Sequence, residues 1–177
     1  IGAHNGTLDH KSAKDLEDAA GETFEVDSMS IFACIAKIGI EETMKLMQGA
    51  WSLVWYDQNQ KTLNFLRNKE RPMWYAYTKE FDQIIWASEW PMIRAACELS
   101  LPATRPELFQ DEETGFKFWQ TPEDWLLTFD VATLALGSTE RPKPKAKELK
   151  GKEPAPVVYQ HGGRAPFQHH NPGNNTN

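Results

Sequence analysis

The spacing of the apolar residues changes part-way along this chain, from the period of helices to the short runs of β-strands. Before residue 49, apolar side chains recur at helical spacing, which predicts helices over Asp9–Ala20, from Asp27 or Ser28 to Gly39, and over Glu41–Gln48. Four runs rich in aromatic and β-branched residues follow, and they predict an antiparallel meander over Ala50–Tyr56, Thr62–Arg67, Met73–Thr78 and Gln83–Ser88. This order of elements predicts an α+β domain.

The segments after the meander add one helix and two strands. The helix is predicted over Trp90–Leu99, and the strands over Phe116–Trp119 and Trp125–Leu134. The first and fourth strands of the meander carry apolar residues at successive positions instead of alternate ones. We therefore expect both faces of the sheet to be covered.

Charge and composition divide the chain at about residue 140. Residues 141–177 carry seven Lys or Arg against two acids, with six of the eleven prolines and none of the seven tryptophans. We expect this Pro/Lys-rich tail to be disordered, because its few apolar residues cannot offset the entropy of ordering it. Residues 1–140 are expected to form one domain with a net charge of −11, which argues against nucleic acid or an anionic membrane as a partner.

The two cysteines, Cys34 and Cys97, each lie in a helical apolar pattern. Without a closely spaced Cys or His they do not suggest a metal site or a disulfide framework, and no cofactor is expected. Isolated, buried thiols are typical of a reducing compartment, which predicts a cytoplasmic location. No apolar run reaches the roughly 18–20 residues that a membrane span needs.

Two short segments could carry chemistry. The opening residues are predicted to be an apolar stub that runs into an Asn5-Gly6 turn; alternatively, the Asn5 amide and the Gly6 N–H could form an oxyanion hole, since glycine lets the backbone approach a reacting atom closely. Asp27 precedes an apolar helix. Its carboxylate could cap that helix, or it could bind the ammonium group of a substrate.

Five motifs in order carry a family resemblance. They are His4-Asn5-Gly6, Val26-Asp27-Ser28-Met29-Ser30-Ile31, Gly49-Ala50-Trp51-Ser52-Leu53-Val54-Trp55-Tyr56-Asp57, Leu66-Arg67 through Arg71-Pro72, and Trp86-Ala87-Ser88-Glu89. Together they cover roughly residues 1–99, and in this order they resemble the class II glutamine amidotransferase domain, a member of the N-terminal-nucleophile hydrolases.

The resemblance implies a fold, a reaction and roles for individual residues. The fold would be an αββα sandwich of antiparallel sheets covered by helices, present in part. Asn5 and Gly6 would form the oxyanion hole, Asp27 would bind the α-amino group of L-glutamine, and His4 would belong to the substrate site as a scaffold residue beside the hole. Arg67 and Ser88 would be structural, the first fixing a turn and the second capping the following helix.

The implied reaction is hydrolysis of the glutamine side-chain amide by an N-terminal Cys thiolate, through a thioester, with ammonia passed to a synthetase or transferase partner. The chain departs from the family in beginning with Ile1, and neither Cys34 nor Cys97 has the free α-amine that this chemistry uses. The family's Arg-containing loop that grips the glutamine carboxylate would also precede this sequence. Two explanations stay open: the sequence is the C-terminal portion of an amidotransferase domain whose Cys lies upstream, or it is a noncatalytic binding or scaffold module.

Overall fold

The computed structural model describes residues 1–78, 83–100, 117–134 and 145–151, which form helix, sheet, sheet and helix layers. The bounds of the elements are β1 Gly2–Leu8, α1 His10–Ala20, α2 Asp27–Ile38, α3 Ile40–Leu46, β2 Gly49–Asp57, β3 Thr62–Arg67, β4 Trp74–Thr78, β5 Gln83–Ala87, α4 Trp90–Ser100, β6 Lys117–Gln120, β7 Trp125–Asp130, α5 Val131–Leu134 and β8 Lys145–Glu148. The predicted α+β class and αββα layering are confirmed. Cys97, on α4, has a side chain that lies outside the described part of the chain.

The strands form two antiparallel sheets in place of one meander. The first sheet has the order β1-β2-β3-β7-β8 and the second the order β5-β4-β6. The chain leaves the first sheet after Arg67 and enters the second at Trp74. The predicted continuous meander was therefore wrong at this point, because the turn between β3 and β4 is a crossover between layers.

Each pair of layers encloses its own cluster of apolar side chains. Helices α1–α3 cover the outer face of the first sheet over a cluster that includes Leu16, Ile31 and Leu53. The two sheets face each other across a second cluster, in which Phe65 stacks on Tyr75 with ring centroids 5.9 Å apart. Helix α4 packs on the second sheet through Ile93. Burial on both faces explains the continuous apolar sequence of β2.

The first strand corrects the prediction for the opening of the chain. Residues 2–8 pair with residues 49–55 in unbroken antiparallel register, with Asn5 opposite Ser52 and Gly6 opposite Trp51. The Asn5-Gly6 pair therefore lies within a strand and does not form a turn. Glycine is required here by close approach: a Cβ on Gly6 would lie 1.9 Å from the Ala50 carbonyl oxygen, and its φ is +151°.

The helix ends agree with the sequence at α1 and differ at α2 and α4. Asp9 caps α1 by accepting a hydrogen bond from the Ser12 N–H at 2.6 Å. Helix α2 has Val26 at its N-cap and no side-chain cap, so neither Asp27 nor Ser28 caps it. The predicted cap by Ser88 is also not formed in the described structure, where its hydroxyl lies 3.7 Å from the Met92 sulfur.

The end of the described chain departs most from the sequence prediction. Strand β7 ends at Asp130, and residues 131–134 turn into the short helix α5 instead of extending the strand. Within the predicted disordered tail, Lys145–Glu148 form β8 and pair with β7. Burial of Leu149 in the helix-side cluster and a bond from its N–H to the Asp124 carbonyl (2.7 Å) secure this segment. The prediction of disorder was wrong for residues 145–151, and the rest of that tail lies outside the described residues.

Arg67 has the structural role that was predicted for it. Its Nε donates to the Thr121 carbonyl at 2.5 Å and its Nη1 to the Asn68 carbonyl at 3.0 Å, which ties the β3–β4 turn to the segment between β6 and β7. Burial lowers the pKa of this guanidinium, and the nearby Glu123 and Asp124 oppose that shift. None of the described helices is both long enough and apolar enough to span a membrane.

Candidate active site

Among the described strands, β1 lies at one edge of the first sheet, so every second backbone N–H of β1 points away from its partner β2. The Tyr56 N–H donates to the Ile1 carbonyl (2.8 Å) and the Asp9 N–H to the Gln48 carbonyl (3.0 Å), so the odd-numbered residues of β1 are those bonded to β2. Because bonded residues alternate along an antiparallel strand, the N–H groups of Gly6 and Leu8 point outward. These two donors lie about 7 Å apart along the strand.

The Asp27 carboxylate occupies this edge. Its Oδ2 accepts a hydrogen bond from the outward Leu8 N–H at 3.2 Å, and its Oδ1 lies 3.6 Å from His4 Nδ1. His4 lies two residues before Gly6 in the strand and Leu8 lies two residues after it. Because the carboxylate contacts both of these residues, it lies beside Gly6. The Asp27 side chain is 27% exposed and can therefore meet a ligand from solvent.

His4 lies beneath this carboxylate in a buried position. Its side chain is 1% exposed, and its Nδ1 is 3.1 Å from the Ser28 hydroxyl. Burial lowers the pKa of the imidazole and the Arg71 charge lowers it further, while the Asp27 carboxylate opposes both effects. His4 Nε2 is buried with no hydrogen-bond partner in the described structure. The imidazole is therefore neutral near pH 7 and is closed off from a substrate.

Asn5 lies next to this cluster on the other side of the strand. Side chains alternate across a strand, so Asn5 faces away from His4 and towards the side of its partner Ser52, and it is exposed. The Asn5 side chain and the outward N–H of Gly6 thus belong to consecutive residues of this edge strand. The structure brings His4, Gly6 and Asp27 together and places Asn5 beside them.

Cys34 lies outside this site and is not a nucleophile. It is fully buried on α2, where its thiol donates to the Leu16 carbonyl at 3.0 Å. Burial raises the pKa of this thiol, which keeps it protonated. Among the described residues, no group of three or more His, Cys, Asp or Glu side chains is placed to hold a metal ion.

Two residues near the site were missed by sequence reasoning. Ser28, considered only as a helix cap, contacts both His4 and Asp27. Arg71 has a buried Nε without a hydrogen-bond partner in the described structure, and its charge reaches His4. Both residues stand in motifs that carry the family resemblance, Ser28 directly after Asp27 and Arg71 directly before Pro72, but sequence reasoning assigned neither of them a role in the site.

The family of glutamine amidotransferase domains matches residues 3–95, which is more than half of the chain. The chain belongs to this family. The matched range of the amidotransferase domain runs from β1 into α4 and includes His4, Asn5, Gly6 and Asp27. The predicted membership in the class II glutamine amidotransferases is confirmed.

The solved structures include one similar to this amidotransferase domain, the glutamine phosphoribosylpyrophosphate (PRPP) amidotransferase from B. subtilis, in complex with ADP and GMP. The identity is 15% and the TM-score 0.54, and the match covers 83% of this chain and 28% of that chain. This chain thus spans less than a third of that protein, and at this identity the likeness is one of fold. No curated protein sequence is significantly similar to the chain.

Proposed function

We propose that this domain releases ammonia from the side-chain amide of L-glutamine, with Asn5 and Gly6 as oxyanion donors and Asp27 as the ligand of the substrate ammonium group. The observation that carries the proposal is the place of the Asp27 carboxylate. Its contacts with His4 and Leu8 hold it beside Gly6 on the open edge of the sheet. A ligand bound to this carboxylate would lie against the outward backbone donors of β1.

The oxyanion role of Asn5 and Gly6 follows from which groups the strand leaves unbonded. The Gly6 N–H points away from β2, and the exposed Asn5 side chain precedes it directly. A fixed backbone N–H and a side-chain amide are the donors that stabilise the oxygen of a tetrahedral intermediate. The antiparallel pairing of residues 2–8 with β2 holds this stretch of backbone in place.

The ammonium-binding role of Asp27 is supported by what its carboxylate does not do. It does not cap α2, and a neutral His4 does not cancel its negative charge. An ionised carboxylate that is partly exposed and already held by a backbone donor is suited to a charge-assisted bond with an α-ammonium group.

The proposed reaction needs a thiolate that the described residues do not provide. We propose an N-terminal cysteine upstream of Ile1, whose sulfur bonds to the amide carbon of glutamine while its own α-amine carries the proton. Breakage of the carbon–nitrogen bond expels ammonia and leaves a glutamyl thioester, which water then hydrolyses to glutamate. The ammonia would be used by a synthetase or transferase partner, and the buried free thiol of Cys34 suits a reducing, cytoplasmic location.

The test is an ammonia-release assay with glutamine on the full-length protein. Asn5→Ala should lower kcat on the order of 10²- to 10³-fold, the usual effect of losing one oxyanion donor, while Asp27→Asn should mainly raise KM. Because Asn5 is exposed, its substitution should leave the unfolding midpoint unchanged. Asn59→Ala and Asp18→Asn, both at exposed positions outside β1 and α2, serve as matched controls and should behave as wild type.

The outcomes separate the mechanism from the alternative. An unchanged kcat in Asn5→Ala would remove Asn5 from the reaction. A full-length protein that binds glutamine, as measured by calorimetry, but releases no ammonia would instead be the noncatalytic module.

A further inference from the structure

Three polar side chains form a continuous line from the buried side of β1 to the Asp27 carboxylate. His4 Nδ1 is 3.1 Å from Ser28 Oγ, and the Ser28 hydroxyl donates towards Asp27 Oδ1 at 3.5 Å. A Ser28 hydroxyl that donates to the carboxylate can accept a hydrogen bond from His4, so the tautomer of His4 that completes this line has its proton on Nδ1.

The other contacts of these residues fix the two ends of the line. Asp27 Oδ2 is held by the Leu8 N–H at 3.2 Å, so rotation of the carboxylate is restrained from both oxygens. His4 is fixed by burial, with 1% of its side chain exposed. The carboxylate is thus located by a backbone donor on one side and by Ser28 and His4 on the other.

The charge state of His4 decides whether this line helps or hinders a cationic ligand. Burial lowers the pKa of His4, Asp27 raises it, and Arg71, the other charged group acting on it, lowers it. A neutral imidazole orients Ser28 without neutralising Asp27. A protonated one, 3.6 Å from Asp27 Oδ1, would form an ion pair and compete with the ammonium group of a substrate.

We propose that His4 and Ser28 are positioning residues that hold the Asp27 carboxylate in the direction from which it binds the α-ammonium group of glutamine. This inference rests on the proposed function. In it, His4 does not contact the substrate directly but acts through Asp27, and Ser28 connects the two residues. Because the hydrogen bonds of the Ser28 side chain within the described residues join it to the carboxylate and to His4, its loss should affect the binding of the ammonium group and leave the chemical step intact.

The experiment compares two ligands on the full-length protein. One is L-glutamine as substrate, and the other is glutaramate, which is glutamine without its α-amino group, as a competitive inhibitor. Ser28→Ala should raise the KM for glutamine about tenfold, as for loss of a hydrogen bond to a charged group, with kcat and the inhibition constant of glutaramate unchanged. Ser28→Thr, which keeps the hydroxyl, should restore the KM.

The matched control lies two residues along the same helix. The Ser30 hydroxyl donates to the backbone carbonyl of Asp27 at 2.7 Å and does not touch the carboxylate. Ser30→Ala removes a serine hydroxyl next to the same residue and should leave the KM for glutamine at its wild-type value. His4→Leu should raise that KM as Ser28→Ala does, and it should abolish the increase in wild-type KM that protonation of His4 causes on acidification.

The outcomes are distinguishable from those that concern the reaction itself. If wild-type protein releases ammonia but Ser28→Ala and His4→Leu keep its KM, the positioning role is wrong and the proposed function stands. A parallel rise in the inhibition constant of glutaramate would show general damage to the site and would also overturn the inference. If wild-type protein releases no ammonia, the proposed function has failed first.

Discussion

The close approach of β1 to β2 at Gly6 predicts a large and specific cost for the smallest possible substitution there. In Gly6→Ala, the new Cβ would lie 1.9 Å from the Ala50 carbonyl oxygen and 2.7 Å from the Trp51 Cα, whereas such atoms are essentially never closer than 3.0 Å. Both neighbours are backbone. The two strands must therefore separate by more than about 1 Å, out of a normal spacing of about 4.8 Å.

The size of the effect is the sum of two free-energy costs, one for separating the strands and one for the strained backbone of residue 6. A residue other than glycine at positive φ costs about 1–3 kcal/mol, and overpacking in a rigid environment adds about 1–3 kcal/mol or more. We expect Gly6→Ala to lower the free energy of unfolding by about 2–6 kcal/mol, the sum of these two costs, and values above about 4 kcal/mol are exceptional for a single substitution. Urea denaturation followed by tryptophan fluorescence measures this directly, since Trp51 is the cross-strand partner of Gly6.

A control substitution at Gly21 distinguishes the cost of the close approach from the cost of a positive φ, because Gly21 has a positive φ without a close backbone neighbour. Gly21 ends α1 with φ +76°, and the nearest atom to a Cβ there is the flexible end of Lys37 at 3.1 Å. Gly21→Ala should therefore show only the cost of the left-handed backbone, about 1–2 kcal/mol. A cost for Gly6→Ala no greater than that of Gly21→Ala would refute the pairing of β1 with β2 at this point.

Two further predictions concern the pH dependence of folding and the attachment of β8. Burial is the main cause of the lowered pKa of His4 in the folded protein, so the unfolded chain binds the proton more readily. The free energy of unfolding should therefore fall as the pH drops below about 6.5. Urea titrations at pH 5, 6 and 7 measure this fall, which should be smaller in His4→Asn and unchanged in the control His10→Asn. Leu149→Ala should lower the free energy of unfolding by about 2–5 kcal/mol, because Leu149 is only 5% exposed and packs in the helix-side cluster. As a control, Lys147→Met breaks the exposed ion pair with Glu41 and should leave the urea midpoint nearly unchanged.

Local sequence determined the elements whose side chains carry a clear period or a clear end signal. Strand β3 was predicted at its observed bounds, and α1 was predicted to within one residue, with Asp9 at its start and Gly21 after its end. Both faces of β2 are buried, as its continuous apolar sequence indicated. These features depend on residues within a few positions of one another, so their signals are visible in a single chain.

Pairing between distant segments overrode local preference elsewhere. Asn5-Gly6 has the composition of a turn, but seven residues of β1 pair with β2, and the backbone bonds of that ladder outweigh the local preference. The charged segment Lys145–Glu148 has no strand pattern, and it becomes a strand because burial of Leu149 brings it to β7. Where the meander divides into two sheets, Arg67 at the end of β3 bonds to the Thr121 carbonyl, 54 residues further along the chain.

The same division applies to the candidate site. The sequence alone supplied the residue types and their order, an amide and a glycine followed by an aspartate at a helix start. Only the tertiary structure decided that the Asp27 carboxylate turns away from its helix to the outward Leu8 N–H, and that Ser28 joins it to His4 across 24 positions of chain. The physical reason is that the direction of a hydrogen bond on an edge strand depends on which neighbour the strand pairs with, and that information lies in the partner strand.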